Sequence, residues 1–145
     1  MARVSTYLNF PGTTEQAFRF YQSVFGTEFN GPIARFKDMP SQPGQPPMSA
    51  ADGELILHIE LPILGGHVLM ATDALASMGL TVKPGNNLHI NLETDTRAET
   101  ERLFPALSAG GKVEMPLQDA FWGAYFASFT DRFGINWMLN CANKT

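Results

Sequence analysis

A chain of 145 residues with 44% apolar and 17% charged side chains is long enough to bury one core without disulfides or structural metal, and its composition excludes a disordered chain. Ten basic against 14 acidic residues leave a formal charge of −4 with the basic ones scattered, which excludes a nucleic-acid partner. The single cysteine excludes an internal disulfide, no apolar run approaches the ~20 residues of a membrane span, and Met1 to Ser5 lack the apolar stretch of a signal peptide, so a cytoplasmic protein with no membrane partner is expected.

Val4 to Phe10 are β-branched or aromatic and loosely alternating, a strand closed by Pro11 and Gly12. Thr13 and Gln16 have capping-box spacing at the head of a helix whose apolar positions are Ala17, Phe18, Tyr21, Val24 and Phe25, with Gly26 as its stop. Glu28 to Phe36 read as a second strand. Met39 to Gly53, with Pro40, Pro43, Pro46 and Pro47, read as a long loop or lid, because proline removes ladder donors. In the strand Glu54 to Leu61, alternation puts Leu55, Leu57, Ile59 and Leu61 on one face and Ile56, His58 and Glu60 on the other. Gly65 and Gly66 turn the chain into a strand from His67 to Asp73, and His67 beside that turn is expected to be simply exposed.

The same order then restarts. Leu88, Ile90 and Leu92 alternate with His89, Asn91 and Glu93 as a half-buried strand, and Thr96 with Glu99 caps a helix buried through Leu103, Phe104 and Leu107 and interrupted by Pro105. Strands follow at Lys112 to Leu117, Gly123 to Thr130 and Ile135 to Cys141. On the last of these Ile135, Trp137 and Leu139 face the helix, and Asn136, Met138 and Asn140 face away from it. The chain is thus expected to be one domain over residues 1–145, in two βαβββ modules at about 1–75 and 85–143. With 11 Phe and 7 Met, its interior should be rich in aromatic and adaptable side chains.

Several segments together resemble the PhnB-like branch of the vicinal oxygen chelate superfamily, which takes in glyoxalases, bleomycin-resistance proteins and dioxygenases. They are Tyr7 to Phe10 with Ala17 to Gly26, Arg35 to Pro40, His58 to Leu61, Gly66 to Met70, Lys112 to Asp119 with Phe121 to Gly123, and Thr130 to Met138. The resemblance implies an α+β fold: two βαβββ modules forming a U-shaped eight-stranded mixed sheet with helices on the convex face and a small-molecule site on the concave one. It also implies a homodimer. Metal-dependent members carry ligands on the first and last strands of each module, and those positions fall near Thr6 or Tyr7, Met70, His89 and Met138. Of these only His89 suits a divalent ion, since a thioether is a soft, packing side chain. The resemblance therefore implies a cavity protein without the usual metal centre and with no cofactor. A divalent metal held instead by His58, Glu60 and His89 is the alternative.

The expected ligand-binding residues are Tyr7, Asn9, His58, His89, Asn91, Trp122, Tyr125, Asn136 and Met138, with Glu60 as the candidate for moving a proton. Core packing competes with ligand stacking for Trp122, Tyr125 and Phe126. Cys141, on the apolar side of its strand, reads as an inert thiol. A Rossmann-type methyltransferase is excluded because no glycine-rich turn joins a strand to a helix; Gly65 and Gly66 join two strands. Three functions follow: metal-free small-molecule binding, a metal-dependent glyoxalase-like isomerase, lyase or dioxygenase, and a dimer that sequesters a cationic drug.

Overall fold

The structure is a computed structural model and describes residues 1–145, which fall into two compact units, Met1–Val82 and Lys83–Thr145. In the first, β1 (Thr6–Phe10) is followed by α1 (Thr14–Phe25), β2 (Ala34–Arg35), α2 (Ala50–Glu54), β3 (Ile56–Pro62) and β4 (Val68–Asp73). The sheet order is β1-β4-β3-β2, with β1 parallel to β4 and the other pairs antiparallel. In the second, β5 (Ile90–Leu92) leads through α3 (Arg97–Ser108) to β6 (Lys112–Asp119), β7 (Tyr125–Thr130) and β8 (Asn136–Cys141). Its order is β5-β8-β7-β6, again with the first and last strands parallel. All eight expected strands form, four to a sheet, in an α+β chain. No helix is long and apolar enough to cross a membrane.

Each sheet buries the face that carries its helix. Phe10, Ile59, Leu61, Leu69 and Ala71 lie under Ala17, Phe18 and Tyr21 of α1, with Phe10 edge-on to Phe18 at 6.4 Å. In the second unit Trp137, Leu139 and Phe129 lie under Leu103 and Leu107, and Phe104 meets Phe129 edge-on at 5.7 Å. The cores are aromatic, as composition suggested, but none of the seven methionines is buried in them. Branched and aromatic side chains fill the interior, and the flexible thioethers are left to the surface and the opposite sheet faces.

Local chemistry departs from the sequence reading at several points. Thr13 makes no side-chain cap; the head of α1 is held instead by Asp73, whose Oδ1 accepts from Thr14 N at 3.0 Å and Thr14 Oγ1 at 2.7 Å. Gly26 does end the helix, in the left-handed conformation (φ 66°) that a side chain would resist. The strand expected at Glu28 to Phe36 shrinks to two residues, because Gly31 (φ 69°) and Pro32 keep the approach irregular. The expected loop holds α2 at its end, capped by Ser49 accepting from Asp52 N at 3.1 Å. Ile56 does not share the exposed side of His58 and Glu60; a bulge opposite Ala34 and Arg35 re-phases the strand, and Ile56 is buried. Leu88 precedes β5 and is 67% exposed rather than facing the helix.

Thr96 behaves as expected, accepting from Glu99 N at 3.1 Å. Thr96→Ala should therefore destabilise the protein by about 1 kcal/mol, whereas Thr13→Ala should fall within about 0.5 kcal/mol of wild type. Chemical denaturation of the two variants checks the pair; equal losses would refute it.

Candidate functional site

The helix-free faces carry the polar side chains. On the first unit, β1 against β4 pairs Tyr7 with Met70 and Asn9 with Thr72, and β3 against β4 pairs Glu60 with Met70. Met70 therefore sits between a phenol and a carboxylate. His58, one pleat along β3, ties them together: its Nε2–H donates to Glu60 Oε2 at 3.0 Å, leaving Nδ1 to accept from the Tyr7 hydroxyl at 3.3 Å. Arg3 reaches the other Glu60 oxygen at 3.8 Å. Burial, and secondarily the Glu60 charge, hold the Tyr7 phenol above its ordinary pKa, so it stays protonated at neutral pH. Asn9 is exposed on the same face. His67 is not simply exposed: its Nε2 shares a 2.8 Å hydrogen bond with Thr6 Oγ1.

On the second unit the register repeats the motif. β5 against β8 pairs Asn91 with Met138, and β7 against β8 pairs Ser128 with Met138, so this methionine too lies between two polar residues. His89, just before β5, approaches Glu114 of β6, Nε2 to Oε2, at 4.0 Å. Ser128 Oγ donates to Glu114 Oε2 at 3.3 Å, and Thr130 Oγ1 lies 3.2 Å from Oε1 while its one proton goes to a nearer acceptor on Asn136. Asn136 serves the structure: its amide donates to Gly85 O (2.8 Å) and Leu88 O (3.1 Å), fixing the chain that presents His89, while its Oδ1 takes the Thr130 hydroxyl. Trp122, 53% exposed, stacks edge-on to Phe126 at 5.4 Å on this face.

Tyr125 does not join them. Alternation puts residues 125, 127 and 129 on the helix side, where the Tyr125 hydroxyl donates to Glu101 at 3.2 Å and the Arg97 guanidinium lies 4.3 Å from the ring centre. Burial first, then the Glu101 hydrogen bond, raise its pKa. Cys141 is fully buried on that side.

The donor set does not fit the metal centre of the metal-dependent proteins that the chain resembles. At the four ligand positions stand Tyr7, a protonated phenol, with the Thr6 hydroxyl beside it already bonded to His67, then Met70, His89 and Met138. Two thioethers and a neutral phenol are poor partners for a hard or borderline divalent ion. The alternative set is also not assembled: His58 and Glu60 hydrogen-bond each other in the first unit, His89 belongs to the second, and nowhere do three His, Cys, Asp or Glu side chains gather as a metal would need. Glu114, Ser128 and Thr130 escaped the sequence reading. Glu114 lies at the first of two bulges in β6 and still reaches the polar face, where it meets Ser128.

Comparison with known proteins agrees with this architecture. The family model described as the glyoxalase/bleomycin resistance protein/dioxygenase superfamily matches residues 5–139. Protein YjdN of Escherichia coli K12 is 33% identical over 97% of this chain and 96% of its own. The crystal structure of PA1353 from Pseudomonas aeruginosa superposes with a TM-score of 0.81 at 35% identity, covering 97% of this chain and 98% of that one. A PhnB protein from Bacillus cereus, for which a 3-demethylubiquinone-9 3-methyltransferase role has been suggested, gives 0.74 at 25% identity, covering 97% and 100%.

Proposed function

Because the chain belongs to the glyoxalase/bleomycin resistance protein/dioxygenase superfamily, we propose that it binds a small molecule on the helix-free faces of its sheets without the superfamily's usual metal centre. The observation that carries this reading is the pair of methionines in register: Met70 between Tyr7 and Glu60, and Met138 between Asn91 and Ser128. A thioether contributes polarizable contact area in place of a lone pair for a cation. The surrounding hydroxyl, amide, imidazole and carboxylate groups supply orientation, the usual division of labour in a small-molecule site.

The test is metal content after purification without chelator, together with a thermal-shift screen of small metabolites. Substoichiometric metal and a saturable rise in melting temperature are expected, since a ligand that binds only the folded state stabilises it. One divalent ion per chain that is lost in His89→Ala or in His58→Ala would overturn the metal-free reading.

A second reading, proton transfer, is favoured by the Tyr7, His58 and Glu60 chain. Glu60 fixes the imidazole tautomer, and His58 Nδ1 takes the phenol's proton as Tyr7 Oη takes one from a bound molecule. A Rossmann-type methyltransferase is not supported, because neither sheet has the doubly wound strand order that such a cofactor site uses.

A further inference from the structure

We propose that Asn30 is a site of covalent self-modification: the Gly31 backbone nitrogen displaces its side-chain amide, and the folded first unit carries the products. The inference stands apart from the ligand reading above. It turns on one peptide bond beside the edge strand of the first sheet.

The sequence narrows the choice. When an asparagine side chain closes a ring onto the next backbone nitrogen, the side chain of that next residue obstructs the approach, and glycine has none. Among the asparagines only Asn30 precedes a glycine. Among the aspartates, which close the same ring with loss of water, only Asp52 does.

The structure then separates those two. Gly53 is buried, its N–H donates to Ser49 O at 3.0 Å at the head of α2, and the Asp52 carboxylate accepts from Ser77 Oγ at 2.6 Å. Nucleophile and electrophile are both committed there. At Asn30 neither is. The Gly31 N–H and the Asn30 side chain make no hydrogen bond, Asn30 is exposed, and a carbon added at Gly31 would meet no atom within 4 Å.

The chain around this peptide bond also has slack. Asn30 N donates to Glu60 O at 3.0 Å, and Ala34 pairs with His58. Two residues of β3, spanning roughly 7 Å, thus lie opposite four residues of connector that would reach about 13 Å if extended. Gly31, at φ 69°, sits in that surplus, and a glycine changes its backbone angles at little steric cost. The nitrogen can turn toward the Asn30 carboxamide without either anchor breaking.

The step balances with water and hydroxide alone. Hydroxide takes the Gly31 N–H proton, and the nitrogen attacks Asn30 Cγ. The N–Cγ bond forms, the Cγ–Nδ2 bond breaks, and ammonia leaves with a proton from water, which restores the hydroxide. Water then opens the succinimide at either carbonyl. One opening gives aspartate; the other gives isoaspartate, whose main chain runs through the former side chain and is longer by a methylene. Either product adds a negative charge. Asn30 keeps its own N–H, so the bond to Glu60 O survives, and the slack before Ala34 absorbs the added atom.

The test incubates the folded protein and a synthetic peptide of residues 20–35, the fragment trypsin releases around Asn30, in parallel at mildly alkaline pH. Mass spectrometry with electron-based fragmentation then maps aspartate and isoaspartate. The folded protein should react at Asn30 at a rate close to that of the peptide. Asn86 and Asn87 are also exposed but precede larger residues, and they should react about tenfold or more slowly, a barrier difference of about 1.4 kcal/mol or more. Asp52 should stay unchanged in the folded protein. Ion exchange should resolve an acidic form that melts with untreated protein and that does not arise from Asn30→Gln; the wild-type map decides the matter even if that variant folds poorly. An Asn30 that persists in the folded protein while the peptide reacts would overturn the inference, as would equal rates at Asn86 or Asn87. An acidic form that melts well below untreated protein would refute the claim that the fold carries the products.

Discussion

Gly111→Ala is expected to cost about 3 kcal/mol, at the upper end of overpacking penalties, and to lower the melting temperature by roughly 10 °C for a chain of this size. Gly111 lies in the turn between α3 and β6, where its amide donates to Ser108 O at 2.9 Å. A methyl added there would collide with the Thr130 carbonyl oxygen and lie 2.8 Å and 2.9 Å from the Asp131 carbonyl carbon and Cα. All three atoms are backbone, so no rotamer change relieves the clash. At the neighbouring Gly110 a methyl would meet only the side chain of Arg132, and there it is the left-handed backbone (φ 77°) that resists substitution. The damage should also reach the polar face, because Thr130 hydrogen-bonds Asn136 and lies beside Glu114, and the two elements would be pushed apart. Thermal melts read the loss, and a melting temperature within 2 °C of wild type would refute the clash.

Asp73→Ala should be comparably severe, at about 3–5 kcal/mol, the range for stripping the partner from buried, hydrogen-bonded groups. This carboxylate is 3% exposed and accepts three hydrogen bonds: from Thr14 N and Thr14 Oγ1 on one oxygen, and from Ile56 N at 2.8 Å on the other. It joins the end of β4 to the head of α1 and the start of β3. Asp73→Asn preserves one acceptor but turns an amide donor toward a second donor, so it should lose about 2 kcal/mol. Urea denaturation of both variants tests this; an asparagine variant as stable as wild type would show that the second oxygen does not matter. Asp131 plays the equivalent part in the second unit, accepting from Phe133 N, Ile135 N and the Trp137 indole.

Those two aspartates show where sequence reading reaches its limit. Element order, the Gly26 stop, the Thr96 cap and the two faces of β8 were legible, because each rests on period or on a residue's own backbone preference. Asp73 reads as the last residue of a strand and Asp131 as part of the connection between the last two, and the burial of either carboxylate is decided by donors that the local letters do not announce. Tyr125 was grouped with Trp122 and Phe126 by adjacency, although strict alternation along β7 separates it from Phe126. Ile56 was hidden for a related reason: a bulge shifts the phase by one residue, and nothing in the surrounding letters announces it. His58 and Glu60 were legible as same-face neighbours, but their bond to each other was not. That bond depends on which of several reachable partners each side chain takes.

The bulged strand β6 has a bearing on how copies of the chain meet. It is an outer strand of its sheet, exposed along nearly its whole length, with Val113 and Met115 each more than 40% accessible. Such an edge ordinarily templates the addition of another strand. Here two bulges interrupt the ladder, and Pro116 offers no amide, while β2, on the outer side of the first sheet, is only two residues long. These are the devices by which sheets avoid growing into fibres. Any contact between copies of the chain along β6 or β2 should therefore be built from interlocking side chains and not from continued hydrogen-bonded strands.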